Sequence, residues 1–239
     1  MDLSIIVPIF NEKENIEDLI EEIYQSIDSF IKFEVVIIDD ASDDNSLQLL
    51  KSLKEEYSSL RIIRHEENYG QSSAIRTGVS VANAKWIATI DGDGQNDPRD
   101  ITKLYKNLIE LNQNGINTMI AGFRKVRNDN FLKRFSSRYA NKIRSMILKD
   151  NVPDTGCGLK LFSRKIFLEL PFFDHYHRYL PALFISNGGQ VVSIEVNHRQ
   201  RIKGSSKYGF HNRFWVGIYD LIGVKWLVDR KKIILSKEY

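Results

Sequence analysis

Trp86-Ile-Ala-Thr-Ile-Asp-Gly-Asp-Gly-Gln-Asn-Asp-Pro98 decides how this chain is read. Its first five residues are an apolar run without helical spacing, closed by Asp, Gly and Pro. Such a run reads as a buried strand that ends in a loop. Two carboxylates, Asp91 and Asp93, then stand one residue apart at the strand's tip. That spacing suits a single hard divalent cation, which prefers oxygen ligands. A cation held there can in turn hold a diphosphate.

Working outward, the same strand-then-helix pattern recurs on both sides. Ser4–Ile9 is a buried strand, followed by Ile16, Leu19, Ile20, Ile23, Tyr24 and Ile27 at helical spacing. Asn11, with Glu14 three residues on, predicts the start of that helix. Phe33–Ile38 is a second strand ending in Asp39-Asp40, and Leu47, Leu50, Leu53 and Tyr57 mark a second helix. Leu60–Ile63 and a helix through Ala74, Ile75, Gly78, Val79 and Ala82 come next. After Trp86–Ile90 a helix runs through Ile101, Leu104, Tyr105, Leu108 and Leu111, and Asn117–Gly122 is a fifth strand. Alternation of this kind predicts an α/β fold, a mainly parallel sheet with helices on both faces. Ligands on such sheets bind at the carboxyl ends of the strands. Asp39, Asp40, Asp91 and Asp93 all fall there.

The second half is less regular. Phe131–Leu148 reads as a basic amphipathic helix, and Asp154–Phe162 runs from a turn into a strand. Tyr179–Ser186 is a short helix, Gln190–Val196 a strand and His198–Gly209 a basic loop. Residues 1–210 are expected to form one catalytic-sized domain and residues 211–239 an amphipathic basic tail.

Composition narrows the function. The 239 residues are 42% apolar and 27% charged, ample for a core. The single cysteine, Cys157, allows no intrachain disulfide and no thiolate zinc site; a buried small residue is its simpler role. Residues 1–100 carry 9 Lys/Arg against 21 Asp/Glu, whereas residues 101–239 carry 25 against 10. The basic half is therefore expected to face anions or an anionic surface. No basic–aromatic nucleic-acid module is recognisable, so nucleic acid is not an expected partner. The first strand–helix turn, Pro8-Ile-Phe-Asn-Glu12, lacks the Gly-x-Gly-x-x-Gly that a pyrophosphate-binding dinucleotide turn requires, and no Walker-type loop exists. Its hydrogen-bonding side chains suit a nucleoside instead. Asp39 could accept from a base or a ribose; the alternative for Asp39, Asp43 and Asp44 is helix capping.

Taken together, Ile5-Ile-Val-Pro-Ile-Phe-Asn-Glu12, Ile37-Ile-Asp-Asp-Ala-Ser-Asp43, Asn68-Tyr-Gly70 and Asp91-Gly-Asp-Gly-Gln95 resemble the family 2 inverting glycosyltransferases of the GT-A fold. Asp154-Thr-Gly-Cys-Gly-Leu-Lys-Leu-Phe162 and Arg201-Ile-Lys-Gly-Ser-Ser-Lys-Tyr208 are similar to the dolichol-phosphate mannose synthase group with its bacterial polyprenyl-phosphate relatives. The resemblance covers roughly residues 3–210 and rests on the order of the motifs more than on any one of them. It implies a nucleotide-diphosphate sugar donor, UDP- or GDP-linked, with Mg2+ or Mn2+. Pro8, Phe10, Asn11, Glu12 and Asp39 would then cradle the nucleoside. Asp91 would reach the ribose or the metal, and Asp93 with Gln95 would ligate the metal. Arg76 would touch the diphosphate or simply sit on the surface.

The resemblance also implies a polyprenyl phosphate acceptor, already anionic and in little need of a base. Arg124 and Arg134 would receive its phosphate, with Lys133, Ser137 and Arg138 beside them, since spacings of three and four align Arg134, Ser137 and Arg138 on one helix face. Asp154 would orient the acceptor, serve as base for a hydroxyl acceptor, or cap the turn after Pro153. Lys207, with Arg201 and Tyr208, belongs to a loop that would close over the diphosphate or dock on anionic lipid. His175 and His177 lack a metal-site pattern. Transfer to a saccharide or protein hydroxyl, and a non-catalytic membrane adaptor that senses nucleotide sugar, are the rival readings.

No run of about 18 apolar residues occurs, so no membrane-spanning helix is expected, and no signal peptide is visible. The tail combines Phe214, Trp215, Ile218, Leu221, Ile222, Trp226 and Leu227 with Arg230-Lys231-Lys232. That pattern suits a helix lying on a bilayer, peripheral on the cytoplasmic face. Packing on the domain itself, or in a homo-oligomer interface, is the alternative.

Overall fold

A computed structural model describes residues 1–112, 117–124, 141, 143–200 and 210–232, and the side chains of these except 112 and 210–215. Strand β1 (Leu3–Ile9) is followed by α1 (Lys13–Ser26), β2 (Phe33–Asp39), α2 (Ser46–Glu56), β3 (Leu60–Arg64), α3 (Gly70–Val81) and β4 (Trp86–Thr89). Then come α4 (Arg99–Asn112), β5 (Thr118–Arg124), β6 (Lys160–Ser163), α5 (Arg164–Glu169) and a 3-10 turn at Tyr176–Arg178. Helix α6 (Leu180–Ser186), β7 (Gln190–Val196) and α7 (Phe210–Arg230) complete the described chain.

The strands form one seven-stranded sheet in the order β3-β2-β1-β4-β6-β5-β7. Alternate residues of its central strands enter different cores. Leu3, Ile5, Val7 and Ile9 of β1, with Val35 and Ile37 of β2, pack beneath α1, α2 and α4. Ile6, Val36 and Ile38 pack on the other face against Ala74, Ile75 and Val79 of α3. This period of two explains why the strands are apolar throughout: both faces are covered. Gly78 lets α3 approach closely, since a Cβ there would stand 2.4 Å from Ile6 Cγ2.

Parallel pairing sets β1, β2 and β4 in one direction. Ile9 pairs with Asp39 and Ile6 with Thr89, so the residues after each strand emerge at one rim. Strand β6 departs from the parallel pattern: it runs antiparallel to both β4 and β5. An antiparallel strand presents its beginning where its neighbours present their ends. Residues 154–159 are thereby delivered to the same rim as Asp91. Thr89 Oγ1 donates to the Gly158 carbonyl at 2.7 Å and fixes that approach.

Local expectations were corrected at two places. Asn11 does not cap α1; it sits at φ 56°, and its Oδ1 accepts from the Asp43 N–H at 2.8 Å. Asp44 ties the helix starts together instead, accepting from the Lys13 N–H at 3.0 Å and the Ser46 N–H at 3.0 Å. Asp40, expected at the ligand-binding rim, secures the start of α3: it accepts from the N–H groups of Tyr69 and Gly70 at 3.0 and 2.7 Å, and pairs with His65 at 2.6 Å. The basic helix expected over Phe131–Leu148 is described only at residues 141 and 143–148, which are helical.

Candidate active site

The rim assembles a pocket of about 440 Å³ around Asp91, with Gln71, Arg124, Asp154, Lys160, His177 and Arg178 in its wall. Asp91 accepts from Gln71 Nε2 at 2.8 Å. Burial, and then the neighbouring Asp93 carboxylate, push its carboxyl up to about 6, against the opposing charges of Lys160 and Arg124. Gly158 makes room for it: a Cβ there would meet Asp91 Oδ2 at 2.1 Å.

Asp93 lies in the following turn, where its Oδ1 accepts from the Gln95 N–H at 3.1 Å and Gly94 takes φ 71°. The turn is anchored from the far side: the Arg199 N–H donates to the Gln95 carbonyl at 2.8 Å, and Asn96 bridges to His198. Among the described residues no three His, Cys, Asp or Glu side chains form a metal cluster. The donor set nonetheless fits a hard cation. Two acidic groups, one held toward neutrality by burial and by the other's charge, are relieved by a positive ion. Mg2+ characteristically takes one or two carboxylates and completes its shell with phosphate and water.

On the nucleoside side, Asp39 is fully buried. Its Oδ1 accepts from the Ser42 N–H at 2.9 Å, while Oδ2 lies 3.3 Å from Arg64 Nη1 and accepts no hydrogen bond among the described residues. A buried carboxylate oxygen without a donor is costly, and a bound N–H or O–H would satisfy it. The Pro8–Glu12 turn lies beside it: the Asn11 N–H donates to Ser42 Oγ at 2.8 Å, and Glu12 accepts from Asn15 at 2.8 Å.

The cationic wall differs from expectation. Arg124 is not turned out toward an incoming anion; it clamps Asp154 through Nε at 2.6 Å and Nη2 at 2.9 Å. The Arg124 N–H adds a bond to the same carboxylate at 3.3 Å. Burial disfavours the Arg124 charge, yet the Asp154 contacts outweigh it and raise its pKa. Asp154 accordingly faces a guanidinium with both oxygens and does not stand as an open base. Arg76 is likewise engaged elsewhere. Its Nη atoms donate to the Phe167 and Leu168 carbonyls at 3.4 Å each, fastening α3 to α5 rather than reaching a diphosphate. Lys133, Arg134, Ser137, Arg138, Arg201, Lys207 and Tyr208 lie outside the described residues.

Three wall residues had not been singled out. Gln71 positions Asp91. Lys160 is buried, its charge disfavoured by burial, and donates to the Cys157 carbonyl. Arg178 follows the His175-Tyr-His cluster; among the described residues its guanidinium makes no hydrogen bond or ion pair. Cys157 is buried, and burial raises its thiol pKa, in keeping with a packing role.

Residues 4–170 match the family described as Glycosyl transferase family 2. The chain is 33% identical over 236 residues to the dodecaprenyl-phosphate galacturonate synthase of Rhizobium johnstonii, covering 97% of this chain and 68% of that protein. It is 31% identical over 212 residues to the undecaprenyl-phosphate 4-deoxy-4-formamido-L-arabinose transferase of Shewanella sediminis, covering 88% of this chain. The chain spans 62% of the length of that second relative. Glucosyl-3-phosphoglycerate synthase from Mycobacterium tuberculosis, solved with Mn2+, UDP and glucosyl-3-phosphoglycerate, superposes with a TM-score of 0.65 at 20% identity, covering 98% of this chain and 81% of that one. S. aureus TarS with UDP-GlcNAc gives 0.66 at 17% identity, covering 98% and 68%. These superpositions show the GT-A architecture, as the motifs led one to expect.

Proposed function

The chain belongs to glycosyl transferase family 2, and we propose that it moves a hexose, with inversion, from a nucleotide-diphosphate sugar to a polyprenyl phosphate. The observation that carries this reading is the composition of one pocket: an acidic tip at Asp91 facing Arg178, with the Arg124–Asp154 pair and Lys160 as the wall between them. Cleaving the bond from sugar C1 to the diphosphate leaves charge on the nucleotide, while the attacking group brings charge of its own. A site for that reaction needs electrostatic stabilisation at both ends and alignment between them. The Rhizobium synthase and the Shewanella transferase, both named with a polyprenyl phosphate, support the acceptor class.

Each residue then takes a part. Asp39 Oδ2, with the Pro8, Phe10, Asn11 and Glu12 turn, receives the nucleoside. Asp91, Asp93 and Gln95 would hold Mg2+ or Mn2+, which supplies Lewis-acid neutralisation of the leaving diphosphate. Gln71 orients Asp91. The Arg124–Asp154 pair forms a rigid, nearly neutral wall beside the reacting carbon. Lys133, Arg134, Ser137 and Arg138 are assigned to the acceptor phosphate, and Lys207 to a loop over the diphosphate. A hydroxyl acceptor would demand an open base, and both Asp154 oxygens are taken by Arg124. The deciding assay offers UDP- and GDP-sugars with Mn2+ to undecaprenyl phosphate and, separately, to oligosaccharides. Lipid-linked product alone is expected; sugar transfer to the saccharide alone refutes the assignment.

Gly158 gives a sharp test of the geometry. In Gly158→Ala the new Cβ must push the Asp91 carboxylate aside. Displacements of this size cost about 100-fold in turnover. Transfer should fall by about that factor with the melting temperature little changed; undiminished transfer would show that Asp91 need not stay where it is.

The tail is assigned to a membrane surface. No described helix is long and apolar enough to cross a membrane. Helix α7 packs on the domain through Val224, with Leu221 and Val228 beside it. The opposite side exposes Tyr219 at 73%, Ile222 at 63% and Trp226 at 60%, followed by exposed Arg230, Lys231 and Lys232. Apolar side chains with an aromatic belt and flanking cations suit the headgroup region of an anionic bilayer. Trp226→Glu should reduce co-sedimentation with vesicles containing anionic phospholipid by about tenfold, consistent with roughly 1.5–3 kcal/mol for burying one large apolar side chain. Equal binding by the variant would return α7 to a packing or oligomer role.

A further inference from the structure

We propose that Arg178 receives the phosphate of the acceptor, and that the cleft between α3 and α7 is the path by which that phosphate reaches Asp91. The inference rests on the polyprenyl-phosphate reading and names a residue and a route within it. The wall of the Asp91 pocket holds three cations among the described residues, and two of them are already committed. Arg124 spends its fork on Asp154. Lys160 is buried with its ammonium on the Cys157 carbonyl. Arg144, behind the wall, is also taken, by Asp150 and the Val152 carbonyl.

The Arg178 N–H donates to the His175 carbonyl at 3.1 Å, but its guanidinium makes no hydrogen bond or ion pair among the described residues. Its charge is felt by Asp220, 42 positions along the chain, but no bond joins them. Its neighbour His177 is steadied by Ser72 Oγ at 2.7 Å. A guanidinium fork is well matched to phosphate oxygens. Here it stands at the edge of a site that must admit an anion.

The position of Arg178 is as informative as its freedom. A second cleft, of about 380 Å³, runs past Tyr69 and Ser72 of the α3 entry to Val216 of α7. Gln71, His177 and Arg178 line this cleft and the Asp91 pocket alike. The two spaces therefore share Arg178 as a wall residue, and the proposed route passes there. One end reaches the carboxylate assigned to the donor; the other opens beside the helix whose far face carries Tyr219, Ile222 and Trp226. A lipid phosphate arriving from a surface under α7 would enter here and meet Arg178 first.

The test is steady-state transfer with acceptor and donor varied separately, plus calorimetric donor binding with Mn2+. Native protein, Arg178→Ala, Arg178→Lys and Val216→Trp are compared with undecaprenyl phosphate as acceptor. Losing a charge-assisted bond to a phosphate is expected to raise the acceptor KM about 10- to 100-fold while the donor Kd stays within about twofold. Arg178→Lys should recover most of that loss, since an ammonium still meets a phosphate as a point charge. Val216→Trp narrows the cleft without touching Arg178 and should also raise the acceptor KM. An increase confined to the donor KM would place the anion on the donor, such as a sugar carboxylate, and overturn the proposal. An unchanged acceptor KM in Arg178→Ala would overturn it too. Native protein inactive on any polyprenyl phosphate would overturn the functional reading itself, a result visible before any variant is made.

Discussion

Asp91→Asn will abolish transfer and, in metal-free protein, raise the melting temperature. The two effects share one cause. Burial and the charge of Asp93 lift the Asp91 carboxyl from 3.8 to about 6. A carboxyl whose folded pKa exceeds its unfolded value binds its proton more tightly in the folded state. Its contribution to stability is thus fully present below pH about 4 and is lost as pH rises through about 6. At neutral pH the ionised group opposes folding by roughly 1–3 kcal/mol. Asn keeps an oxygen for Gln71 and removes the charge. A gain of several degrees is expected near pH 7.5, shrinking toward zero at pH 4. The same charge is what a divalent cation would use, so Mn2+ should raise the melting temperature of the native protein and not of the variant. A variant that melts lower than native protein at pH 7.5, or that still gains stability from Mn2+, contradicts this account.

The part of this site that could be read from sequence is the part built by parallel βα units. Once Ser4–Ile9, Phe33–Ile38 and Trp86–Ile90 are taken as buried parallel strands, their ends must share a rim. Asp39 and Asp91 share that rim for topological reasons alone. The opposite wall had no such guarantee. Lys160–Ser163 is four apolar-to-polar residues with no direction written in them; only pairing with β4 and β5 makes β6 antiparallel. Residues 154–159 therefore reach Asp91 by a relation that local pattern does not encode.

Arginine roles were legible least of all. Arg76, Arg124 and Arg178 are chemically identical in sequence, yet one guanidinium holds α5 carbonyls, one holds Asp154 and one makes no bond among the described residues. What distinguishes them is a carboxylate 30 positions away or a carbonyl 91 positions away. Composition did carry a hint of Arg178, because His175-Tyr-His-Arg178 is an unusual cluster. The cluster lacks a metal-site pattern, and nothing local in it distinguishes an arginine that lines a pocket from one that faces solvent. The Asp39–Asp40 doublet shows the same limit. Two adjacent acids on a strand end point to opposite sides, so one faces the rim and the other caps α3.

Asp154→Ala is expected to be the most destabilising single change in the pocket. The Arg124–Asp154 pair is almost fully enclosed, with side-chain exposures of 12% and 7%. Removing the carboxylate leaves a buried guanidinium without its counter-charge, a loss of about 3–5 kcal/mol. The melting temperature should fall by roughly 6–20 °C. Loss of activity in this variant alone would be uninformative, because an unstable wall and a missing base predict the same result. The double variant Arg124→Met with Asp154→Leu separates them, since apolar replacement of both partners of a buried pair is often neutral or stabilising. If the pair is a wall, the double variant regains its melting temperature, and transfer to lipid phosphate returns to within about tenfold of native, as no buried charge is left uncompensated. If it regains stability while transfer stays down by about a thousandfold, the scale on which essential acid–base groups are felt, the pair takes part in the chemistry. The wall assignment would then be wrong. The lipid-phosphate reading favours the first result, because an acceptor that arrives already ionised asks the protein for position and not for a base.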